Sequence, residues 1–567
     1  MYSNKQNVNI LTALLVEHGI RHAVVCPGSR NAPIVHNLNE CPQIACYPVT
    51  DERSAGFYAL GMAQALAEPV AVCVTSGTAL LNLAPAVAEA WYQHQPIVVV
   101  SADRPQQWID QLDGQTLPQA DALGRFVRQA VSLPEVHSDE EHWHCNRLVN
   151  EALLEMGEAG HGPVHINVPI SEPLFDFAVP ELPRERAICR VRPTADYDCL
   201  PPVFVDDFLQ AKRPMVVFGQ TSPHDLSGQE GEYLFGHTIV LHEALAPFPS
   251  VSHFDEVLSQ LTSEEKEALQ PDVVLYIGGC IVSKRLRQFL RQARKARVWR
   301  ISPSGRVEDT FQNLRGVVVG DAESVVASLS HKMKHKFNTK AMDYRRQWLQ
   351  LLKKADAHAE RYAPPYSQMA AVRLFEEQLA LYKEATHSVP AVHYANSTAI
   401  RLANIYARHH VWCNRGVNGI EGSLSTAAGF SVVAHLSPLP ARHTPLTFCV
   451  IGDLSFFYDQ NALWNQSLNG NLRIILLNNG KGGIFNLLAG LEQSPARDRL
   501  VAARHHTTAE GTCLQNDIYY QQATNQEELS QGIELLIKSD LGRPILLEVM
   551  TSADDDERAY REYLNSK

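Results

Sequence analysis

The stretch that decides the fold is "CVIGDLSFFYDQNALWNQSLNGNLRIILLNNGKGGIF", from Cys449 to Phe485. It holds two largely apolar runs, 448–451 and 473–477, and small or oxygen-bearing residues follow each run at once. Asp453 follows the first run and Asn479 the second, 26 positions later. Short apolar runs that end in such turns are typical of parallel strands. The stretch therefore raises the question of what requires an acid and an amide at two strand ends.

Composition limits the kinds of partner this chain can have. Its 567 residues are too many for one core and predict about three or four domains. With 45% hydrophobic and 20% charged residues, it is typical of a soluble globular protein. The formal charge of -12 and the pI near 6.1 argue against a general affinity for nucleic acid or acidic membranes. Small molecules are the expected partners.

The sequence also indicates a compartment. No apolar run approaches the roughly 20 residues that cross a bilayer, and the N-terminus lacks the pattern of a signal peptide. The eleven cysteines include no CxxC pair, which argues against a zinc site or a disulfide framework. We therefore expect a cytoplasmic protein with reduced thiols.

Helix and strand patterns alternate along most of the chain, as in "PVAVCVTSGTALLNLAPAVAEAWYQHQPIVVVSADRP" at 69–105. This alternation predicts the α/β class, with three doubly wound parallel-sheet domains. Ser76 can be placed over Asp453, because a turn, a helix and a strand then span the same 25 positions in both segments, which suggests a duplicated unit. The predicted ranges are a first domain at 1–180, a linker at 181–202, a central domain at 203–330, a linker and helix at 331–365, and a third domain at 366–567.

Asp453 and Asn479 fall where a doubly wound sheet binds its ligands, beyond the carboxyl ends of the strands. A carboxylate, an amide oxygen and a backbone carbonyl just beyond Asn479 are hard ligands that suit Mg²⁺, which usually also takes phosphate oxygens. The alternative is that Asp453 only caps a helix and the asparagines only form a turn. The residues by themselves leave both interpretations open.

The pattern Gly452-Asp453, then Asn478-Asn479 at this spacing, resembles the motif of thiamine diphosphate (thiamine pyrophosphate) enzymes, although that family usually has glycine where this chain has Leu454. The resemblance implies thiamine diphosphate with Mg²⁺ or Mn²⁺ as cofactors. It implies Asp453, Asn479 and the Lys481 carbonyl as metal ligands. The implied cofactor-binding residues are Glu52, Ser397, Asn418, Ile420, Gly452, Asp453, Leu454 and Ser455.

Glu52, in "VTDERSAGFYALGMAQAL", is the candidate catalytic residue. Enzymes of the resembled family need a carboxyl group at the aminopyrimidine of the cofactor, where its hydrogen bond to a ring nitrogen favours the imino tautomer. The alternative is structural, because an acid in the first turn of any helix is favoured by the macrodipole. The resemblance also implies a homodimer or homotetramer with active sites at the subunit interface.

Further motifs narrow the resemblance: "PGSRNAP", "DERSAGFYALGMA", "SADRP", "NRGVNGIEGSLSTAAG", "GDLSFFYDQNAL" and "GGIFNLL". Together they resemble the 2-succinyl-5-enolpyruvyl-6-hydroxy-3-cyclohexene-1-carboxylate synthases, transferases of menaquinone biosynthesis. One departure is "NNGKGGIF", where that family often has a third asparagine. The resemblance implies decarboxylation of 2-oxoglutarate and conjugate addition of the succinyl unit to isochorismate.

These two substrates bring four carboxylates, which require charge-assisted contacts, and arginine suits bidentate capture best. Any single basic residue can instead be a solvated or ion-paired side chain, and apolar residues near the cofactor can instead be core. The implied substrate-binding residues are Ser29, Arg30, Arg104, Gln115, Lys284, Arg285, Arg401, Arg415, Ile484, Phe485 and Leu488.

Two other functions remain open from the residues. A relative of acetolactate synthase would share Glu52 and Asp453 but lack the set of basic residues around Arg30, Arg104 and Arg415. The second is a non-catalytic protein that binds nucleotides through its central domain, although no G-x-G-x-x-G follows "MVVFG" at 215–219.

Overall fold

The computed structural model describes residues 1–190, 200–226, 231–334, 339–438, 445–487 and 490–566. The chain forms three parallel β-sheets, each packed between two layers of helices. The predicted fold class is confirmed. The sheets lie inside the three predicted domain ranges, whereas the exact boundaries stay a prediction. None of the helices described is both long and apolar enough to cross a membrane.

The first sheet has six parallel strands in the order β2-β1-β3-β4-β6-β5. Its middle strands are buried on both faces, so alternate residues of β3 enter opposite cores, which explains the unbroken apolar run. The strands are β1 (His22–Val25), β2 (Ala45–Pro48), β3 (Val70–Val74), β4 (Ile97–Asp103), β5 (Ala130–Ser132) and β6 (Val164–Pro169). The helices are α1 (Gln6–Glu17), α2 (Ala32–Glu40), α3 (Glu52–Leu66), α4 (Thr78–Asn82), α5 (Ala84–Gln93) and α6 (Asp139–Met156).

The central sheet has five parallel strands in the order β11-β10-β9-β7-β8. The strands are β7 (Pro214–Phe218), β8 (Ile239–His242), β9 (Val273–Ile277), β10 (Arg297–Ser302) and β11 (Leu314–Val319). The helices are α7 (Pro202–Gln210), α8 (Glu232–His237), α9 (Phe254–Gln260), α10 (Ser263–Ala268), α11 (Lys284–Gln292) and α12 (Ala322–Met333), and the long α13 (Thr339–Arg361) leads to the third domain.

The third sheet repeats the topology of the first, because its order β12-β13-β14-β16-β15 matches β1-β3-β4-β6-β5 strand for strand. The strands are β12 (Ala391–Tyr394), β13 (Thr447–Gly452), β14 (Leu472–Asn478), β15 (Tyr519–Ala523) and β16 (Ile545–Met550). The helices are α14 (Gln368–Thr386), α15 (Thr398–Tyr406), α16 (Ser423–Val433), α17 (Asp453–Tyr458), α18 (Glu510–Gln515), α19 (Gln526–Lys538) and α20 (Ala553–Asn565).

Two helices, α3 and α16, join the first and third domains of one chain with their backbones in close contact. A Cβ atom added at Gly61 of α3 would lie 1.9 Å from the Thr426 carbonyl oxygen, and one added at Gly429 of α16 would lie 2.3 Å from the Tyr58 carbonyl oxygen. The Tyr58 hydroxyl also donates a hydrogen bond to the Ala462 carbonyl at 2.6 Å. Only glycine fits at either crossing position, so the two domains are tightly packed.

His253 links the central domain to α13 through two carboxylates. Its Nδ1 lies 3.5 Å from Glu256 Oε1 and its Nε2 lies 3.3 Å from Asp356 Oδ1. Burial opposes the charged imidazole, but Asp356 and Glu256 outweigh it and raise the pKa of His253 from 6.5 to about 9. The stabilisation from this charge is therefore complete below pH 6.5 and is lost as the pH rises through 9.

We expect the thermal unfolding temperature to fall between pH 7 and pH 9.5, and His253→Gln to reduce that fall while lowering the unfolding temperature at pH 6.5. Thermal denaturation followed by circular dichroism across this range measures both. An identical pH dependence in the variant would contradict the assignment.

Candidate active site

Asp453 bridges the ends of two neighbouring strands. It is the first residue of α17 and is buried. Its Oδ1 accepts the N–H of Leu454 at 2.7 Å, and its Oδ2 accepts the N–H of Gly480 at 2.9 Å and of Asn479 at 3.2 Å. Because β13 and β14 are paired, the two turns predicted from sequence lie against each other. The carboxylate thus fixes the asparagine turn while remaining at the carboxyl edge of the sheet.

The Asn479 side chain is oriented by an acid from the last helix. Its Nδ2 donates to Asp556 Oδ2 at 2.9 Å, so its Oδ1 is directed away and receives only a long contact from the Lys481 N–H at 3.4 Å. Burial raises the pKa of Asp556 to about 6. Sequence reasoning missed Asp556, because one acid in "DDDE" at 554–557 carries no distinguishing signal.

The oxygen atoms here suit a hard divalent cation. The Lys481 carbonyl accepts no hydrogen bond from the described residues, so it and the Asn479 amide oxygen remain available beside the Asp453 carboxylate. Within the ranges given above, no three His, Cys, Asp or Glu side chains form a metal-binding group. A cation at this edge would therefore draw further ligands from outside the protein, as Mg²⁺ does from phosphate.

His505 also lies beside Asp453, and sequence reasoning missed it. Its Nε2 is 3.4 Å from Asp453 Oδ2, and the carboxylate raises the pKa of the imidazole.

The predicted cofactor residues line the surface next to Asp453. Ser397 and Asn418 have positive φ angles of 77° and 70°, which mark tight turns at the start of α15 and in the 414–420 loop. Asn396 ties these turns together, because its Nδ2 donates to two carbonyls of that loop. The Ser455 hydroxyl donates to the Ile420 carbonyl, and the Ile420 side chain is 41% exposed. The structure thus brings these residues together with 452–455.

Glu52 is the first residue of α3 and is half-buried. Its carboxylate has no hydrogen-bond partner among the described residues, whereas Asp51 caps the helix by accepting the N–H groups of Arg53 and Ser54. The Arg53 guanidinium donates to the carbonyl of Tyr458, the last residue of α17, at 2.8 Å. Glu52 therefore lies near the far end of the helix that Asp453 begins, and no contact in the described part of one chain joins the two acids.

Two predicted arginines lie together at the carboxyl edge of the first sheet. Arg30 is buried and its Nη2 pairs with Glu172 at 3.1 Å, while Arg104 pairs with Asp113 at 3.0 Å. Burial raises the pKa of Asp103, which lies near both arginines, and their charges oppose that rise. The arginines thus form one basic group in the first domain.

Gln115 and Ser29 lie at the same edge, where Ser29 is exposed. Gln115 Nε2 donates to the Ser76 carbonyl at 3.2 Å, and the N–H of Gly77 donates to Gln119 Oε1 at 2.6 Å. Ser76 holds the position that matches Asp453 in the third domain. Glutamine side chains therefore occupy the first domain's counterpart of the candidate metal position.

Arg401 lines a crevice between the central and third domains, and Arg285 pairs with an acid that lines the same crevice. Arg285 pairs with Asp255, and Asp255, Arg401 and Tyr560 line the same cavity. The Nε of Arg401 is buried without a hydrogen-bond partner. Lys284 is exposed at the start of α11 beside this cavity.

Arg415 lies in the 414–420 loop. Its Nη1 donates to Asn396 Oδ1 at 3.1 Å, and its Nε is buried without a partner. Glu243 lies nearby, and burial raises the pKa of this acid to about 7 although the charge of Arg415 opposes the rise. Two arginines of the third domain, Arg401 and Arg415, therefore each have a buried Nε–H group without a hydrogen-bond partner among the described residues.

The residues predicted to form the apolar wall follow the asparagine turn at 478–481 directly. Ile484 and Phe485 are half-buried in a short turn of 3-10 helix at Gly483–Leu487. A Cβ atom added at Gly482 would lie 2.8 Å from the Phe485 ring and 3.4 Å from the Leu454 side chain, so these two side chains lie close together. Leu488 lies outside the described residues.

In the described part of one chain, the candidate metal residues lie near the predicted cofactor residues of the third domain. Asn396 joins Arg415 to that group, and Leu454 lies close to Phe485. No contact among the described residues joins this set to Glu52 or to the basic group at Arg30 and Arg104.

Comparison with known proteins shows the family to which the chain belongs. Residues 7–123 match the family described as thiamine pyrophosphate enzyme, N-terminal TPP binding domain, and residues 238–380 match the middle domain of thiamine pyrophosphate enzymes.

Three similar relatives are named 2-succinyl-5-enolpyruvyl-6-hydroxy-3-cyclohexene-1-carboxylate synthase. The relative from Bacteroides fragilis is 42% identical, with 99% of each chain covered. That from Bacteroides thetaiotaomicron is 41% identical, with 99% of each covered. That from Porphyromonas gingivalis is 35% identical, over 99% of this chain and 97% of the relative. The chain thus belongs to the 2-succinyl-5-enolpyruvyl-6-hydroxy-3-cyclohexene-1-carboxylate synthase family and is a thiamine pyrophosphate-dependent transferase.

Proposed function

We propose that this enzyme decarboxylates 2-oxoglutarate and adds the remaining succinyl unit to isochorismate by conjugate addition. One C–C bond breaks with release of CO₂, one C–C bond forms, and the ring carbon that carries the carboxylate takes up one proton from water. The reaction therefore needs no oxidant or reductant. The observation that carries the proposal is the bridging Asp453 carboxylate, which lies beside two oxygen ligands available to a cation.

In this proposal Asp453, Asn479 and the Lys481 carbonyl hold Mg²⁺ or Mn²⁺, and the cation holds the diphosphate of the cofactor. When bound, thiamine diphosphate supplies the nucleophilic carbon and accepts the electron pair released with CO₂. Ser397, Asn418, Gly452, Leu454 and Ser455 bind the diphosphate end, and Ile420 supports the cofactor as an apolar wedge.

The charged substrate groups are held by basic side chains from all three domains. The unpartnered Nε atoms of Arg401 and Arg415 are donors for carboxylates. The remaining contacts come from Ser29, Arg30, Arg104, Gln115, Lys284 and Arg285, and the wall of the cavity from Ile484, Phe485 and Leu488. Ion pairs such as Arg30 with Glu172 are exchanged for substrate carboxylates on binding.

Glu52 holds and donates a proton at the aminopyrimidine, and we propose that it does so across a subunit interface. Its carboxylate has no hydrogen-bond partner among the described residues of its own chain, and the neighbouring Arg53 is bound to the far end of α17. A symmetric dimer, which can pair again into a tetramer, supplies Glu52 of one chain to Asp453 of the other and forms two equivalent sites.

The reaction is tested by mixing the purified protein with thiamine diphosphate, Mg²⁺, 2-oxoglutarate and isochorismate. We expect CO₂ and the coupled product in equal amounts, and neither when the cation is chelated. Pyruvate in place of 2-oxoglutarate serves as the control, because a relative of acetolactate synthase would consume it. Turnover of pyruvate alone would contradict the proposal.

The shared site is tested with chains that carry different lesions. Glu52→Gln and Asp453→Ala chains, each inactive by itself, are co-expressed under two tags and the mixed dimers are isolated. If each site is shared between the two chains, one site of the mixed dimer carries both substitutions and the other carries neither. The activity per dimer should then recover to about half that of the wild type. Intact, folded mixed dimers that stay inactive would show that each site is built within one chain.

A further inference from the structure

A buried acid from the first domain holds the loop that carries Arg415. Glu89 lies in α5 and is only 3% exposed. Its Oε1 accepts the N–H of Gly416 and its Oε2 accepts the N–H of Val417, each at 2.7 Å. Neither the reaction nor the cofactor scheme above uses this residue.

The charge of the buried Glu89 carboxylate is stabilised by hydrogen bonds. Burial raises its pKa, and the two backbone N–H groups together with the Gln93 side chain at 2.6 Å favour its charged form. No cation pairs with it among the described residues. A buried carboxylate without a cation costs more free energy than an apolar side chain, so these hydrogen bonds are its compensation.

The loop rests directly on α5 and is fixed at both ends. A Cβ atom added at Gly416 would lie 2.9 Å from the Glu89 carbonyl oxygen, so glycine allows the close approach. On the other side, Gln220 of the central domain donates to the Cys413 carbonyl at 2.8 Å. Arg415 lies between these fixed points, with its Nε buried and without a partner.

We propose that Glu89 is a positioning residue that sets the direction of the Arg415 side chain, and so the affinity for one substrate carboxylate, without touching the substrate. The proposal rests on the proposed function, which makes Arg415 a substrate contact. It predicts an effect on KM rather than on the chemical step, because the residue acts only through the loop.

The test compares Glu89→Gln with Arg415→Gln and with the double variant. Glutamine keeps the size of the side chain but turns one acceptor into a donor that faces a backbone N–H. For the substrate whose KM rises in Arg415→Gln, we expect Glu89→Gln to raise KM about tenfold and to change kcat less than about threefold. In the Arg415→Gln background, Glu89→Gln should have little further effect on KM.

The matched control is Glu141→Gln. Glu141 also accepts a backbone N–H, from His137 at 2.7 Å, but it does so at the exposed start of α6. The KM values of the Glu141→Gln enzyme should therefore equal those of the wild type. Should Glu89→Gln not fold, Gly416→Ala displaces the same loop and should give the same KM change. A KM within twofold of the wild type in the folded Glu89→Gln enzyme, or fully additive effects in the double variant, would overturn the proposal.

Hydrogen exchange provides a readout that does not depend on turnover. In Glu89→Gln, peptides covering 413–420 should exchange faster than in the wild type, whereas those of α6 should not change. If the wild type fails to turn over the two substrates, the proposed function is wrong. The exchange result then still shows whether Glu89 holds the 414–420 loop. Unchanged exchange at 413–420 would show that Glu89 does not hold the loop.

Discussion

Asp453→Ala is expected to abolish thiamine diphosphate binding in the presence of Mg²⁺. The change removes the only carboxylate among the proposed metal ligands and leaves the diphosphate charge less neutralised. It also frees the N–H groups of Asn479 and Gly480, which the carboxylate now holds. Since changing a residue that merely orients a ligand typically costs about 10–100-fold in metal affinity, losing this ligand should cost more.

Calorimetric titration of thiamine diphosphate into protein with Mg²⁺ measures this effect. Asp517→Ala is the matched control, because Asp517 is exposed and belongs to the same domain. This substitution changes the net charge of the protein by the same amount as Asp453→Ala. Circular dichroism confirms that the Asp453→Ala protein is folded. Cofactor affinity equal to that of the wild type would rule out Asp453 as a metal ligand.

Glu52→Gln is expected to bind the cofactor normally but to lose about 10²–10⁴-fold in activity, the usual size of a general acid–base contribution. An amide cannot exchange a proton with the ring nitrogen as a carboxyl group does. Because Glu52 makes no hydrogen bond within the described part of its chain, the substitution should leave the unfolding temperature close to that of the wild type.

Steady-state CO₂ release and calorimetry on the same preparation separate catalysis from binding. Glu68→Gln, at an exposed position just after α3, is the control and should stay fully active. A fully active Glu52→Gln enzyme would remove Glu52 from the mechanism.

Much of the fold could be predicted from sequence because parallel strands buried on both faces leave continuous apolar runs. The runs at 448–451 and 473–477 became β13 and β14, and their pairing brought Asp453 and Asn479 together. The short strand β5 leaves no such run, because its three residues are too few to show a pattern. The turn after each strand can thus be recognised from local sequence. The two turns form one candidate site because their strands are neighbours in the sheet.

Residues that act across domains could not be predicted in this way. Glu89 is an acid within a helix, and nothing near it in sequence indicates that the 414–420 loop rests against it. Asp556 orients Asn479 from 77 positions away. The placement of Glu52 near the far end of α17 likewise depends on how α3 packs against the third domain. Such contacts are set by tertiary packing, so they produce no periodic pattern in the sequence.

The glycine contact between α3 and α16 restricts how the enzyme can open and close. Helices whose backbones touch at Gly61 and Gly429 cannot slide or rotate without a clash, because the Thr426 carbonyl and the Tyr58 backbone leave no clearance. We therefore expect the first and third domains of one chain to move together rather than about a hinge. Substrate entry and product release would then depend on loop motion or, in the proposed dimer, on displacement of one subunit relative to the other.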